Sequence, residues 1–243
     1  LNKINMKKIF ITAIIASAAL TSCSSDDDGG VAISENVEAP ATYNFERGGN
    51  STVSFSGQTT RILMAEEVLE AFKDFDNTTE ASLQSMFAHV QGANDFSNAD
   101  LNDSDKSIRS KTAASKDFFG ANATEAAQIK NTFDGYISTQ INEVFPNQNV
   151  LAAPGVAGQI ADGSSVRYVT EKGLEMNQTF AKGLIGALMA DQMLNNYLST
   201  AVLDEADNRE NNDADITETD KSYTTMEHKW DEAYGYLYGD PSI

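Results

Sequence analysis

The chain has 243 residues, with 17 Lys and Arg against 36 Asp and Glu, and a formal charge of −19. A surface this acidic repels phosphate backbones, so nucleic acid is excluded as a partner, while a membrane-surface location or a cationic partner suits it. A single cysteine, Cys23, excludes an intrachain disulfide, and two histidines, His89 and His228, exclude a three-histidine zinc site.

The N-terminal segment has three parts in order. Lys7 and Lys8 follow Met6, a more natural start than Leu1. Ile9 to Leu20 is apolar but too short to span a bilayer as a helix. Leu20-Thr21-Ser22-Cys23 then reads as a lipobox, with small residues that let the signal peptidase reach the backbone before the thiol. Residues 1–22 are therefore expected to be a lipoprotein signal peptide, and Cys23 the lipidation site. Each buried CH₂ of an acyl chain contributes about 0.8 kcal/mol, so several chains hold a protein on its membrane. Cleavage would remove Lys3, Lys7 and Lys8 and no acid, taking the charge from −19 to −22. Residues 23–42 read as a lipidated flexible tether. Its start, Ser24-Ser25-Asp26-Asp27-Asp28-Gly29-Gly30, is similar to the acidic tag that sends some lipoproteins to the outer face of the outer membrane. A cell-surface anchor is expected, with the periplasmic face as the alternative.

From residue 43 to 243 the pattern predicts one mostly α domain, an antiparallel helical bundle with a small N-terminal β-hairpin. Tyr43-Asn44-Phe45 and Thr52-Val53-Ser54-Phe55 alternate around Gly48-Gly49-Asn50 and predict the hairpin. Ile62, Ala65, Leu69, Phe72 and Phe75 predict a first helix stripe. Thr79 to Val90 predicts a second helix, carrying Leu83, Met86, Phe87 and Val90, with His89 near its end. Residues 91–104 read as a polar loop and Ser107 to Phe119 as a third helix. Ala126, Ile129, Phe133, Ile137, Ile141 and Val144 form the strongest stripe, stopped by Pro146. A loop is expected over 146–165, then a long helix from Tyr168 to about Leu203. Gly173, Gly183 and Gly186 mark a kink or a close helix contact in it. An acidic loop, 204–220, precedes a last helix around Thr224–Tyr238.

That last helix carries the densest chemistry. His228, Asp231 and Glu232 stand at i, i+3 and i+4, so an imidazole and two carboxylates share a face. They are the candidate metal ligands, with Glu227 and Trp230 as candidate binding residues and iron, zinc or haem as the candidate cofactor. With a single histidine and no second ligand set visible, the favoured reading of the same helix is that it packs Trp230, Ala233, Tyr234 and Leu237 inward with its charges solvated. Glu66, Glu67, Glu171 and Glu175 could complete a carboxylate site from other helices. Asp207, Asn211, Asp213, Asp215 and Glu218 invite a calcium reading, against which stand a missing central glycine and Arg209 at a ligand position. No nucleophile elbow, P-loop or dinucleotide fingerprint occurs, and no catalytic residue is assigned.

Two segments resemble a known family. Tyr43-Asn44-Phe45 with Ser51 to Ile62, and Glu227-His228-Lys229-Trp230-Asp231-Glu232-Ala233-Tyr234-Gly235-Tyr236, are similar to signatures of lipoproteins carrying the domain of unknown function 4856. That resemblance implies further helices beyond Ile243, so the chain is expected to stop within its domain. More distantly, the His228 segment is similar to imelysin-like envelope proteins, whose Gly-x-His-x-x-Glu signature falls on Met226, His228 and Asp231. The resemblance implies iron uptake. The expected function is a non-enzymatic lipoprotein that binds an envelope protein, iron or haem; the alternative is a metal-dependent peptidase or hydrolase.

Overall fold

The computed structural model of the protein describes residues 41–240. The expected signal peptide 1–22, Cys23 and the tether up to residue 40 lie outside the described residues. What is described is mostly α, with two small antiparallel hairpins.

Strand β1 (Glu46–Arg47) pairs with β2 (Asn50–Ser51) across Gly48-Gly49. Both glycines have positive φ, 61° and 81°, which a two-residue hairpin turn requires. The turn lies where the sequence places it, but the ladder is shorter. Tyr43 and Ser54 spend their polar groups on the C-terminal helix instead of on a strand partner.

Helix α1 (Ser56–Ala71) buries Gln58, Arg61, Met64 and Val68. The predicted stripe is thus rotated by one residue: Ile62, Ala65 and Leu69 are only half-buried. Apolar counting discards Gln58 and Arg61, and these two polar residues define the inward face. Helix α2 (Glu80–Ala88) begins at Thr79, whose hydroxyl accepts from Ser82 N–H at 3.1 Å while Ser82 Oγ accepts from Thr79 N–H at 2.9 Å. Leu83, Met86 and Phe87 are buried as expected, whereas Val90 lies past the helix end and is 72% exposed.

The polar loop contains one helical turn, α3 (Ala99–Asn102). The predicted third helix is two single turns, α4 (Ile108–Lys111) and α5 (Lys116–Phe119), parted at Ala113 with φ 46°. Tertiary acceptors break it. Ala113 N–H donates to the Ala187 carbonyl at 2.6 Å, and Ala114 and Ser115 N–H donate to Asp191 Oδ2 at 3.1 and 3.0 Å. Helix α6 (Ala123–Thr139) continues through a π turn, Gln140–Val144, and stops in a 3₁₀ turn containing Pro146.

The expected loop at 146–165 holds a hairpin instead. Strand β3 (Gly158–Asp162) pairs with β4 (Ser165–Val169) in a register running from Gly158↔Val169 to Asp162↔Ser165. Tyr168 therefore belongs to a strand, where it packs on Phe75 with ring centroids 4.5 Å apart. The long helix starts eight residues later than expected, as α7 (Met176–Leu184), and runs on through π turns at Ile185–Ala190 and Met193–Tyr197. A Cβ on Gly183 would stand 3.0 Å from Phe133 Cζ, so this glycine permits the close α6–α7 contact its position suggested. Single turns α8 (Thr200–Leu203) and α9 (Asn208–Asp213) lead to α10 (Thr225–Tyr238).

Four helices meet in an aromatic core. Phe180 lies 4.9 Å from Phe72, 5.3 Å from Phe87 and 5.3 Å from Phe133 between ring centroids, all tilted or edge-on. This core holds α1 against α7 and its continuation. Beside it, the first turns of α1 and the whole of α10 close the domain.

Candidate functional site

Helix α10 begins in a capping box. Thr224 Oγ1 accepts from Glu227 N–H at 3.2 Å, and Glu227 Oε2 accepts from Thr224 N–H at 2.8 Å. Arg47 of the first hairpin then reaches over and grips Glu227 with two donors, both at 2.8 Å, and also donates to the Ser222 carbonyl at 2.6 Å. Glu227 is thus a structural clamp rather than a free binding residue. Arg47 holds its carboxyl below the ordinary carboxylate range, with burial acting the other way. A lowered native pKa contributes stability above the unfolded value and loses it as pH falls through the native value. Glu227→Gln is accordingly expected to flatten the acid side of the stability profile by well under 1 kcal/mol, since the carboxylate side chain is 36% exposed. Urea midpoints of both proteins between pH 3 and 6 check this.

Asp231 is 4% exposed and accepts twice: from the Tyr43 hydroxyl through Oδ1 at 2.7 Å, and from Ser54 N–H through Oδ2 at 2.7 Å. Glu232 is also spent, accepting from Gln58 Nε2 at 3.2 Å and pairing with Lys229 Nζ at 2.6 Å. The His228 ring stacks on Tyr223 at 4.6 Å. These three residues share a helix face as predicted, but no group of three or more His, Cys, Asp or Glu side chains among the described residues is arranged to hold a metal ion. The donor set does not fit iron or zinc. Both carboxylates are satisfied by protein donors, so a cation there would have to strip those bonds away.

The other acidic candidates are scattered. Glu67 accepts from Ser97 and Asn98 N–H, Glu175 pairs with Arg167, and Glu171 lies on the second hairpin's side of the domain. In the loop read for calcium, Arg209 pairs with Asp204 and Asp215 with Arg47. Trp230 is 55% exposed and Leu237 53%, so the inward face of α10 is Asp231, Ala233, Gly235 and Tyr236 rather than the large apolar residues. Tyr234 stacks flat on Tyr43, centroids 3.6 Å apart.

What α10 does build is one wall of a polar pocket of about 280 Å³, closed by the start of α1, by α4 and by Tyr197. Arg61, Lys106 and Lys111 line it, against a single carboxylate, Glu232. His228 is also in the wall, and its Nδ1 is buried without a partner among the described residues. Arg61 is 6% exposed; its Nε donates to the Ser107 carbonyl at 3.1 Å and its Nη1 to the Gly57 carbonyl at 3.0 Å. Burial pushes the Lys111 ammonium below its ordinary pKa, and Arg61 pushes it further; burial also pushes the Tyr197 phenol well up, so it stays protonated. Nothing in apolar periodicity pointed to Arg61, Lys106 or Lys111; of the three, only Arg61 lies in a segment that resembles the family signature. A wider trough, about 710 Å³, runs past Tyr43, Phe55, Thr59 and Leu63, but it is open and no buried charge lines it.

A family model described as "Domain of unknown function (DUF4856)" matches residues 40–242. The chain belongs to the DUF4856 family. No curated protein and no solved structure matches it. The match spans both segments that resembled the family, and in this DUF4856 domain those two segments are in contact. Tyr43 and Ser54 from the first bond to Asp231 from the second, and Gln58 bonds to Glu232.

Proposed function

We propose that this DUF4856 protein is a bacterial lipoprotein, anchored through Cys23 on the cell surface, whose helical domain binds a small molecule and does not catalyse. The observation that carries the binding reading is the pocket beside His228, where polar groups converge and an imidazole nitrogen has no bond among the described residues. Unsatisfied buried polar groups are costly, and sites that keep them commonly serve a ligand. The lipobox and the acidic segment after it support the anchor; among the described residues no helix is long and apolar enough to cross a membrane. A part in iron acquisition stays within this reading as binding of a compact chelating acid, not as iron held by protein ligands; haem is too large for a pocket of about 280 Å³. The metal-dependent hydrolase reading has no observation in its favour, because His228, Asp231 and Glu232 have no free carboxylate to offer.

One experiment in the producing bacterium tests both halves. Cells are fed an alkyne-tagged fatty acid, and the purified protein is examined by native mass spectrometry beside Cys23→Ala and His228→Ala. The expected result is a label that vanishes in Cys23→Ala and a co-purifying small molecule that vanishes in His228→Ala with helicity unchanged. An unlabelled wild type removes the anchor. A ligand indifferent to His228, or a folded protein that never carries one, removes the pocket.

A further inference from the structure

Arg61 is the most unusual residue of the domain. Its guanidinium is nine-tenths buried, yet among the described residues it makes no ion pair; its bonds go to backbone carbonyls of Ser107 and Gly57. Tyr236, its buried neighbour on α10, offers a neutral phenol, with a pKa pushed up to about 12 by burial. Lys111 is a second cation with no salt bridge among the described residues, its Nζ 5.8 Å from the centroid of the Tyr197 ring and only the charge of Glu232 acting in its favour. Lys106 pairs with the exposed Asp105, whose charge also bears on Arg61, and Lys229, whose charge bears on Lys111, stands 5.7 Å from the same Tyr197 ring. Glu232, the lone carboxylate of the wall, already serves Gln58 and Lys229. In a chain with more than twice as many acids as bases, three cations thus line one cavity against a single carboxylate. Burying an unpaired charge is expensive, and the cost falls when an anion enters.

We propose that the pocket between α1, α4 and α10 is a seat for a small organic carboxylate, taken up between Arg61 and Lys111. The inference rests on the binding reading above and names its ligand class. A planar guanidinium matches a carboxylate with two parallel donors, whereas a lone lysine gives only a point charge. The Tyr223–His228 stack and Tyr197 supply flat walls for the organic body; the Tyr197 hydroxyl accepts from Gln58 Nε2 at 3.3 Å, and His228 Nδ1 is buried with no partner among the described residues. The volume, about 280 Å³, is at the small end of ligand pockets and limits the guest to a compact acid.

Calorimetry and thermal shift on the purified protein test this, in low-salt buffer free of phosphate and carboxylate. The probes are acetate, citrate, glucuronate and inorganic phosphate, with glucose and putrescine as neutral and cationic controls. At least one carboxylate is expected to bind one-to-one and raise Tm, and Lys111→Met to weaken it at least tenfold with the far-UV spectrum unchanged. Lys111→Met keeps the aliphatic stem, so folding is retained; Arg61→Gln is the second variant and should lose binding too. Phosphate binding more tightly than every carboxylate overturns the assigned class. Glucose or putrescine binding in a Lys111-dependent way, with no carboxylate binding, overturns the anion while leaving the pocket as the ligand site. Carboxylate affinity unchanged in both variants, or no probe binding to folded protein, overturns the proposal outright.

Discussion

Asp231→Ala should destabilise the domain by about 3 kcal/mol, because it strips a buried charged acceptor from two donors at once. The Tyr43 hydroxyl and Ser54 N–H both lose their partner, and with them the N-terminal segment loses its attachment to α10. Burial outweighs those bonds and holds the Asp231 carboxyl above its ordinary range. With a raised native pKa, the ionised form loses stability as pH rises through that value, so at neutral pH the charge itself is a cost. Asp231→Asn, which drops the charge and keeps an acceptor oxygen, should therefore lose much less than the alanine variant. Urea unfolding of the three proteins at pH 7 measures this. An alanine variant as stable as the wild type would mean that the segment around Tyr43 is not held by Asp231.

Gly235→Val should cost a similar amount, about 3 kcal/mol, by overpacking rather than by loss of a bond. A Cβ at this position would stand 2.6 Å from Phe55 Cβ and 3.0 Å from Gln58 Cβ. Those are the stems of their side chains and cannot swing aside, so α1 and α10 would have to part. Gly235→Ala should cost less, since alanine recovers about 1 kcal/mol of helix propensity against the clash. Both variants should also loosen the pocket, because Gln58 lines it. A Gly235→Val protein with the wild-type urea midpoint would show that the two helices do not meet this closely.

The first turn, the capped starts of α2 and α10, the stripe of α6 and the stop at Pro146 were all legible in the sequence. Each is decided by residues within a few positions: paired glycines at positive φ, a threonine with a side-chain partner three residues on, a proline without N–H. The break at Ala113 was not, because the acceptors that draw out its neighbours' N–H groups, Ala187 and Asp191, lie more than seventy residues away. The hairpin Gly158–Val169 reads as a loop in the sequence because its five-residue strands are exposed for most of their length and bury no apolar face; the Asp162-Gly163 pair and the alternation of Ser165-Val166-Arg167-Tyr168 are the signals that could have found it. The candidate site was legible by half. Of His228, Asp231 and Glu232, read in the sequence as metal ligands, the first and last line the pocket and Asp231 does not, while Arg61, Lys106 and Lys111 come from segments where a charge reads as solvated.

The sequence by itself determined the helical class, the family, the chemistry-rich last helix and the expectation of a lipid anchor, since each rests on local pattern. Only the tertiary structure decided which way α1 faces, and with it which polar groups meet beside α10. Turning Gln58 inward spends Glu232 on a structural bond, Tyr43 and Ser54 take Asp231, and Arg61 is buried with no ion pair among the described residues. Hydrophobic periodicity records where apolar side chains recur; it carries no information on which buried charge lacks a counter-charge, because that is a property of contacts between distant segments.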